Sequence, residues 1–131
     1  MGSFTDYLKN QVISHIFGRA TFSPPTLYLG LSTSPPGNNG EDFNEPSGSG
    51  YQRLATTPAD WTDAQAGCVG NVTRLCLNMS LGSWGTVTHF GLFDAPQAGH
   101  LLLGGQLEQP ITVGPGAIVN FEPGQLCVSL V

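Results

Sequence analysis

From Val87 to Asp94 apolar side chains fall on both parities. Val87, His89, Gly91 and Phe93 share one face, and Thr88, Phe90, Leu92 and Asp94 share the other. A strand with apolar residues on both faces is covered on both sides, so this stretch predicts a central strand. Gly85 and Gly91 leave room for a bend or a close approach. Asp94 to Gly99 turns the chain and His100-Leu101-Leu102-Leu103 begins the returning strand, which makes a hairpin at the heart of the domain.

The pattern changes period only once. Phe4, Tyr7, Leu8, Val12, Ile16 and Phe17 recur at three and four residues, predicting an amphipathic helix over 4–17. Ser3 or Thr5 can cap it, Asp6 suits its first turn, and Gly18 suits its C-terminal end. Elsewhere the period is two. Leu27, Leu29 and Leu31 alternate within a strand over 26–32, and a short strand follows at 51–55. Residues 69–79 read as one bulged strand. Strands over 101–107 and 109–113 come next, and 117–121 and 125–130 form a closing pair around Glu122-Pro123-Gly124. Turns every eight to twelve residues predict a mainly β fold, an antiparallel β-sandwich or barrel-like domain with one N-terminal helix. The chain divides into a helix over 1–18 and a β-domain over 19–131. The segment 33–50 is polar, acidic and glycine-rich, and is expected to lie as a long surface loop.

Composition narrows the function. Of 131 residues only 10% are charged, against about 25% in ordinary soluble domains. So few charges suit a protein packed against neighbours, where each charge would have to be desolvated. Four Lys+Arg against nine Asp+Glu give a net charge of −5, with no cationic cluster to grip a phosphate backbone, so nucleic acid is not expected as a partner. There is no basic run leading into an apolar core and no apolar stretch of about 18 residues, so no membrane segment is expected. Cys68, Cys76 and Cys127 have no metal-ligand spacing and read as small buried apolar residues.

Candidate chemistry is sparse. Ser83, His89 and Asp94 offer a nominal nucleophile, base and orienter, but Ser83 and His89 would lie about 20 Å apart on an extended strand. His15, His89, His100 and Asp94 have no recognised metal spacing, and His89 would meet His100 only if the hairpin register set them opposite. Asn71-Val72-Thr73 and Asn78-Met79-Ser80 match the glycosylation sequon without a secretory signal. Gly104-Gly105 opens no helix and so makes no phosphate loop. No catalytic residue, metal or cofactor is expected.

Several pieces together carry a resemblance. They are Phe4-Thr5-Asp6-Tyr7-Leu8, Leu27-Tyr28-Leu29-Gly30-Leu31-Ser32-Thr33, and Glu45-Pro46 followed by Gly50-Tyr51-Gln52-Arg53. The longest runs from Trp84 to Ala95. In these the chain resembles a family of small structural proteins of tailed bacteriophages, described as tail fibre proteins. The resemblance spans nearly the whole chain and implies a non-enzymatic virion component, assembled in the host cytoplasm. It implies protein partners in the tail, the baseplate or the major capsid protein, and a homo-oligomer with a trimer favoured. Phe4, Tyr7, Leu8, Val12, Ile16, Phe43 and Tyr51 are the expected interface; the alternative is that the helix packs over one end of the chain's own β-domain. Trp84, His89, Phe90, Leu92, Phe93 and Asp94 are the expected core motif. Two other readings remain open. One is a capsid decoration (cement) protein on the head. The other is a carbohydrate-binding module, with Trp61, Trp84 and Tyr51 as stacking platforms and a host-surface glycan as ligand. A small hydrolase is the least supported class.

Overall fold

The computed structural model describes residues 2–129. Met1, Leu130 and Val131, which end the expected helix unit, closing strand and β-domain, lie outside them. The fold is mainly β, with antiparallel sheets and one helix near the N-terminus.

The first strand, β1 (Gly2–Phe4), precedes helix α1 (Asp6–Ile16). Phe4 was expected in the helix, but it belongs to the strand. Thr5 is the reason: it is extended, its hydroxyl accepts from the Leu8 amide, and the same hydroxyl donates to the carbonyls of Leu101 and Leu102. A cap anchored to the sheet cannot also sit inside the helix. Gly18 takes a left-handed φ of +73° at the far end.

Strands β2 (Tyr28–Ser32), β3 (Leu54–Ala55), β4 (Cys68–Gly70), β5 (Leu75–Cys76), β6 (Gly85–Phe93), β7 (Leu101–Val113), β8 (Asn120–Phe121) and β9 (Cys127–Ser129) follow. Seven strands form one sheet in the order β3-β2-β6-β7-β1-β9-β4, and β5 pairs with β8 in a second. The expected bulged strand over 69–79 is therefore two strands in two sheets. Asn71 is why the chain leaves the first sheet there. Its buried amide donates to the carbonyls of Thr73, Phe121 and Glu122 and accepts from the Leu126 amide.

The same asparagine breaks the expected closing hairpin. It holds the Glu122–Gln125 turn as a crossing between sheets, so β8 pairs with β5 while β9 pairs with β4 and β1. The expected strands 101–107 and 109–113 are one strand. Val87 pairs with Ile111 and His89 with Gln106, so Leu107 to Pro110 bulge opposite Thr88. Pro110 needs no ladder partner there. This bulge also shifts the phase of β6, placing Val87 on the same buried side as Phe90 and Leu92. Leu29 and Leu31 from β2, Leu103 and Leu107 from β7, and Leu75 and Phe121 from the small sheet complete one core. That packing is sandwich-like.

Candidate functional site

The face of the large sheet turned away from this core carries the site. Gly30, Gly91 and Gly104 are register partners across β2, β6 and β7, which cuts a trough across three strands. The loop over 33–50 lies in it. Phe43 meets Phe93 edge to face at 5.0 Å, and a Cβ at Gly91 would sit 2.7 Å from the Phe43 ring and 2.6 Å from Leu101. Pro36 covers Gly104. The loop is thus more than a solvated excursion: its apolar residues close the outer face. Sequence pattern could not show this, because the cavity it fills is made by absent side chains.

A charged clamp fastens the loop. Arg53 donates from Nε to Glu45 Oε2 at 2.9 Å and from Nη2 to Oε1 at 2.6 Å, a two-pronged pair. Its Nη1 donates to the carbonyls of Ala95 and Ala98 in the β6–β7 turn, and its guanidinium lies 3.5 Å over the Phe93 ring. The Arg53 side chain is 7% exposed. Tyr51 donates to Glu45 Oε2 at 2.6 Å and accepts from the Leu31 amide. Burial, reinforced by the Glu45 carboxylate, holds the phenol well above its ordinary pKa. Beside the clamp a cleft of about 450 Å³ opens between Glu45-Pro46, Gln52 and Pro96-Gln97.

A second fastening joins helix to turn. Asp94 accepts from the His100 amide at 2.8 Å, and the His100 ring stacks on Tyr7 at 4.0 Å. The loop reaches the same place: Asn38 and Asn39 accept from the first free amides of α1, those of Asp6 and Tyr7.

The expected interface residues therefore separate. Leu8 is 5% exposed and belongs to the chain's own core; Phe4, Tyr7 and Val12 pack partly against that core. Ile16 is exposed. Phe43 and Tyr51 are half-buried within the loop fastening. In the central stretch Trp84, Phe90 and Leu92 are buried in the main core, whereas Phe93 is buried under the loop. Trp84 donates to the Ser49 carbonyl and meets Tyr51 edge to face, so its ring is not offered to a sugar. Trp61 is half-buried and donates to Thr56. His89 bonds the Thr88 hydroxyl at 2.7 Å, and burial lowers its pKa.

Ser83, His89 and Asp94 have separate partners in Gly85, Thr88 and His100 and do not converge. His89 faces Gln106, not His100. Among the described residues no group of three or more His, Cys, Asp or Glu could hold a metal ion. Cysteine burial departs from expectation: Cys76 is exposed and Cys68 and Cys127 are half-buried, because all three lie on short strands near sheet edges. No helix of the described residues is long and apolar enough to cross a membrane.

Glu45 and Arg53 were not singled out as site residues by sequence pattern. The available signal was scarcity: with four Lys+Arg in the chain, an arginine two residues after Tyr51 and eight after Glu45 is a costly placement on a β-surface.

Compared with known proteins, the chain matches the family described as podophage GP4 fiber I protein gp80 over residues 3–129. It belongs to that family. The match takes in the β1–α1 start, the loop with its clamp and the central hairpin. No curated protein matches the chain. The family description is of a phage fibre protein, and in this chain of few charges the clamp, the trough and the capped helix fasten loop, turn and helix to the sheet.

Proposed function

We propose that the chain is a non-enzymatic structural subunit of a tailed-phage fibre, joined to the tail or baseplate and assembled through protein–protein contacts as a homo-oligomer, with a trimer favoured. The family match over residues 3–129 carries this reading. The geometry supports it, because the polar groups that sequence offered for chemistry are engaged in holding loops and turns. The charged clamp holds a surface in one shape, which is what a repeated assembly contact requires.

Localisation tests it. Tagged protein on intact particles, viewed by negative stain with a gold label, should mark the fibres or their attachment to the tail. Label over the head would show a capsid decoration protein instead. A chain that stays a monodisperse monomer at high concentration and does not bind purified particles would overturn the structural reading.

A further inference from the structure

Two apolar features lack a partner among the described residues. The first is a stripe at the end of α1. Ile13, Ile16 and Phe17 are spaced three and four residues apart, so they share one side of the helix end. They are 54%, 70% and 72% exposed. Leu8, buried in the chain's own core, lies opposite Phe17 on the helix, and Val12, partly buried against that core, lies at the boundary beside Ile16. The second feature is a groove where the main core is incompletely covered. Phe4, Leu27, Trp61, Leu92, Leu103 and Val128 line it, and its volume is about 500 Å³. A row of register partners makes its floor: Leu92 opposite Leu103, and Leu103 opposite Phe4.

We propose that the α1 end of one copy inserts Ile13, Ile16 and Phe17 into this groove of a second copy. The inference rests on the homo-oligomer reading above and names its contact. The two surfaces match in chemistry: no charged side chain lines the groove and none belongs to the stripe. The rims match in charge. Arg19 lies two residues beyond Phe17, and Asp63 lies in the chain between Trp61 and Ala64, two residues that line the groove. Both are exposed and neither has an ion-pair partner among the described residues.

Area decides the form of the assembly. Phe17 with two isoleucines buries roughly 300–400 Å² on its own side, by the usual area of such side chains. A stable pairwise interface needs about 800 Å² per partner. One insertion alone is therefore too small for a lasting dimer. Because every copy carries both a stripe and a groove, the contact is head-to-tail, and closing a ring gives each copy two of them. The closing contact then forms within an existing assembly, at high effective concentration. A closed ring is the product the surfaces favour.

Mixing variants tests this. Ile16→Ser with Phe17→Ser removes the stripe, and Ala64→Arg obstructs the groove from an exposed position. All three sites are exposed, so thermal melting should match the parent chain and serves as the folding control. In sedimentation velocity each variant alone should associate at least tenfold more weakly than the parent. An equimolar mixture should form no ring and at most a weak, concentration-dependent 1:1 pair, since only one intact stripe and one intact groove can meet and that single insertion is too small to last. If the parent assembles and both variants assemble equally well, the insertion is overturned while the homo-oligomer reading stands. If the parent itself stays monomeric, both fall.

Discussion

Arg53 brings three separate pieces of chain to one point: Glu45 in the loop, the Ala95 and Ala98 carbonyls in the turn, and the Phe93 ring beneath. Its Nε, Nη1 and Nη2 all have partners, so truncating it strands a half-buried carboxylate and two carbonyls together. Arg53→Ala should destabilise by about 3 kcal/mol, the lower part of the range for breaking a buried pair, since Glu45 keeps some contact with water. Urea denaturation measures this, and a loss under about 1 kcal/mol would show that the clamp is ornamental. Phe90 is a purely apolar counterpart. It is 1% exposed in the main core, and Phe90→Ala should lose about 3–5 kcal/mol. Tyr51 adds a pH dependence. Its folded-state pKa is raised above 10, so the unfolded chain loses the proton first as the medium becomes alkaline. The stability it contributes is complete below pH about 10 and declines as pH rises further. Melting curves from pH about 8 to 11 should therefore fall more steeply for the parent chain than for Tyr51→Phe. Parallel curves would refute the assignment.

At the scale of elements, the glycine trough and strand β1 bear most of the organisation. A methyl group at Gly91 would collide with Phe43 and Leu101, both packed side chains. Gly91→Ala should cost about 1–3 kcal/mol as an overpacked site, and should expose residues 33–50 to limited proteolysis before the rest of the chain. Unchanged cleavage would mean that the loop is held by the clamp alone. Strand β1 pairs with β7 on one side and β9 on the other, so the sheet crosses the boundary placed at residue 18. Deleting residues 1–18 should accordingly abolish cooperative melting and not leave a folded β-domain. The parts that sequence made legible are those governed by local rules: the Thr5 and Gly18 ends of α1, the alternation of Leu29 and Leu31, and the Asp94–Gly99 turn. What it hid depends on distant partners. A three-residue strand such as Gly2–Phe4 has no period to detect, the role of Asn71 needs the 121–126 turn beside it, and the bulge opposite Thr88 appears only once β6 and β7 are paired. Glycines give no hydrophobic signal, so the second face of β6 looked covered without any indication of what covered it.

For the whole molecule, few charges and a shared sign bear on the proposed contact between copies. Each copy carries −5, and like-charged copies repel at low salt, where the screening length is roughly 30 Å at 0.01 M and comparable to a small domain. At about 0.15 M that length falls to about 8 Å, and most of the repulsion between copies is removed. Apolar insertion is not weakened by this change. One exposed rim pair such as Arg19 with Asp63 is worth at most about 1 kcal/mol and loses part of it. Repulsion among several net charges therefore outweighs the single attraction, and relief of repulsion wins. Raising sodium chloride from about 0.01 to 0.15 M should strengthen self-association several-fold in sedimentation equilibrium at fixed protein concentration. Association that weakens with salt would mean that ion pairs hold the copies together, and the contact would then have to be sought among the charged residues and not at the end of α1.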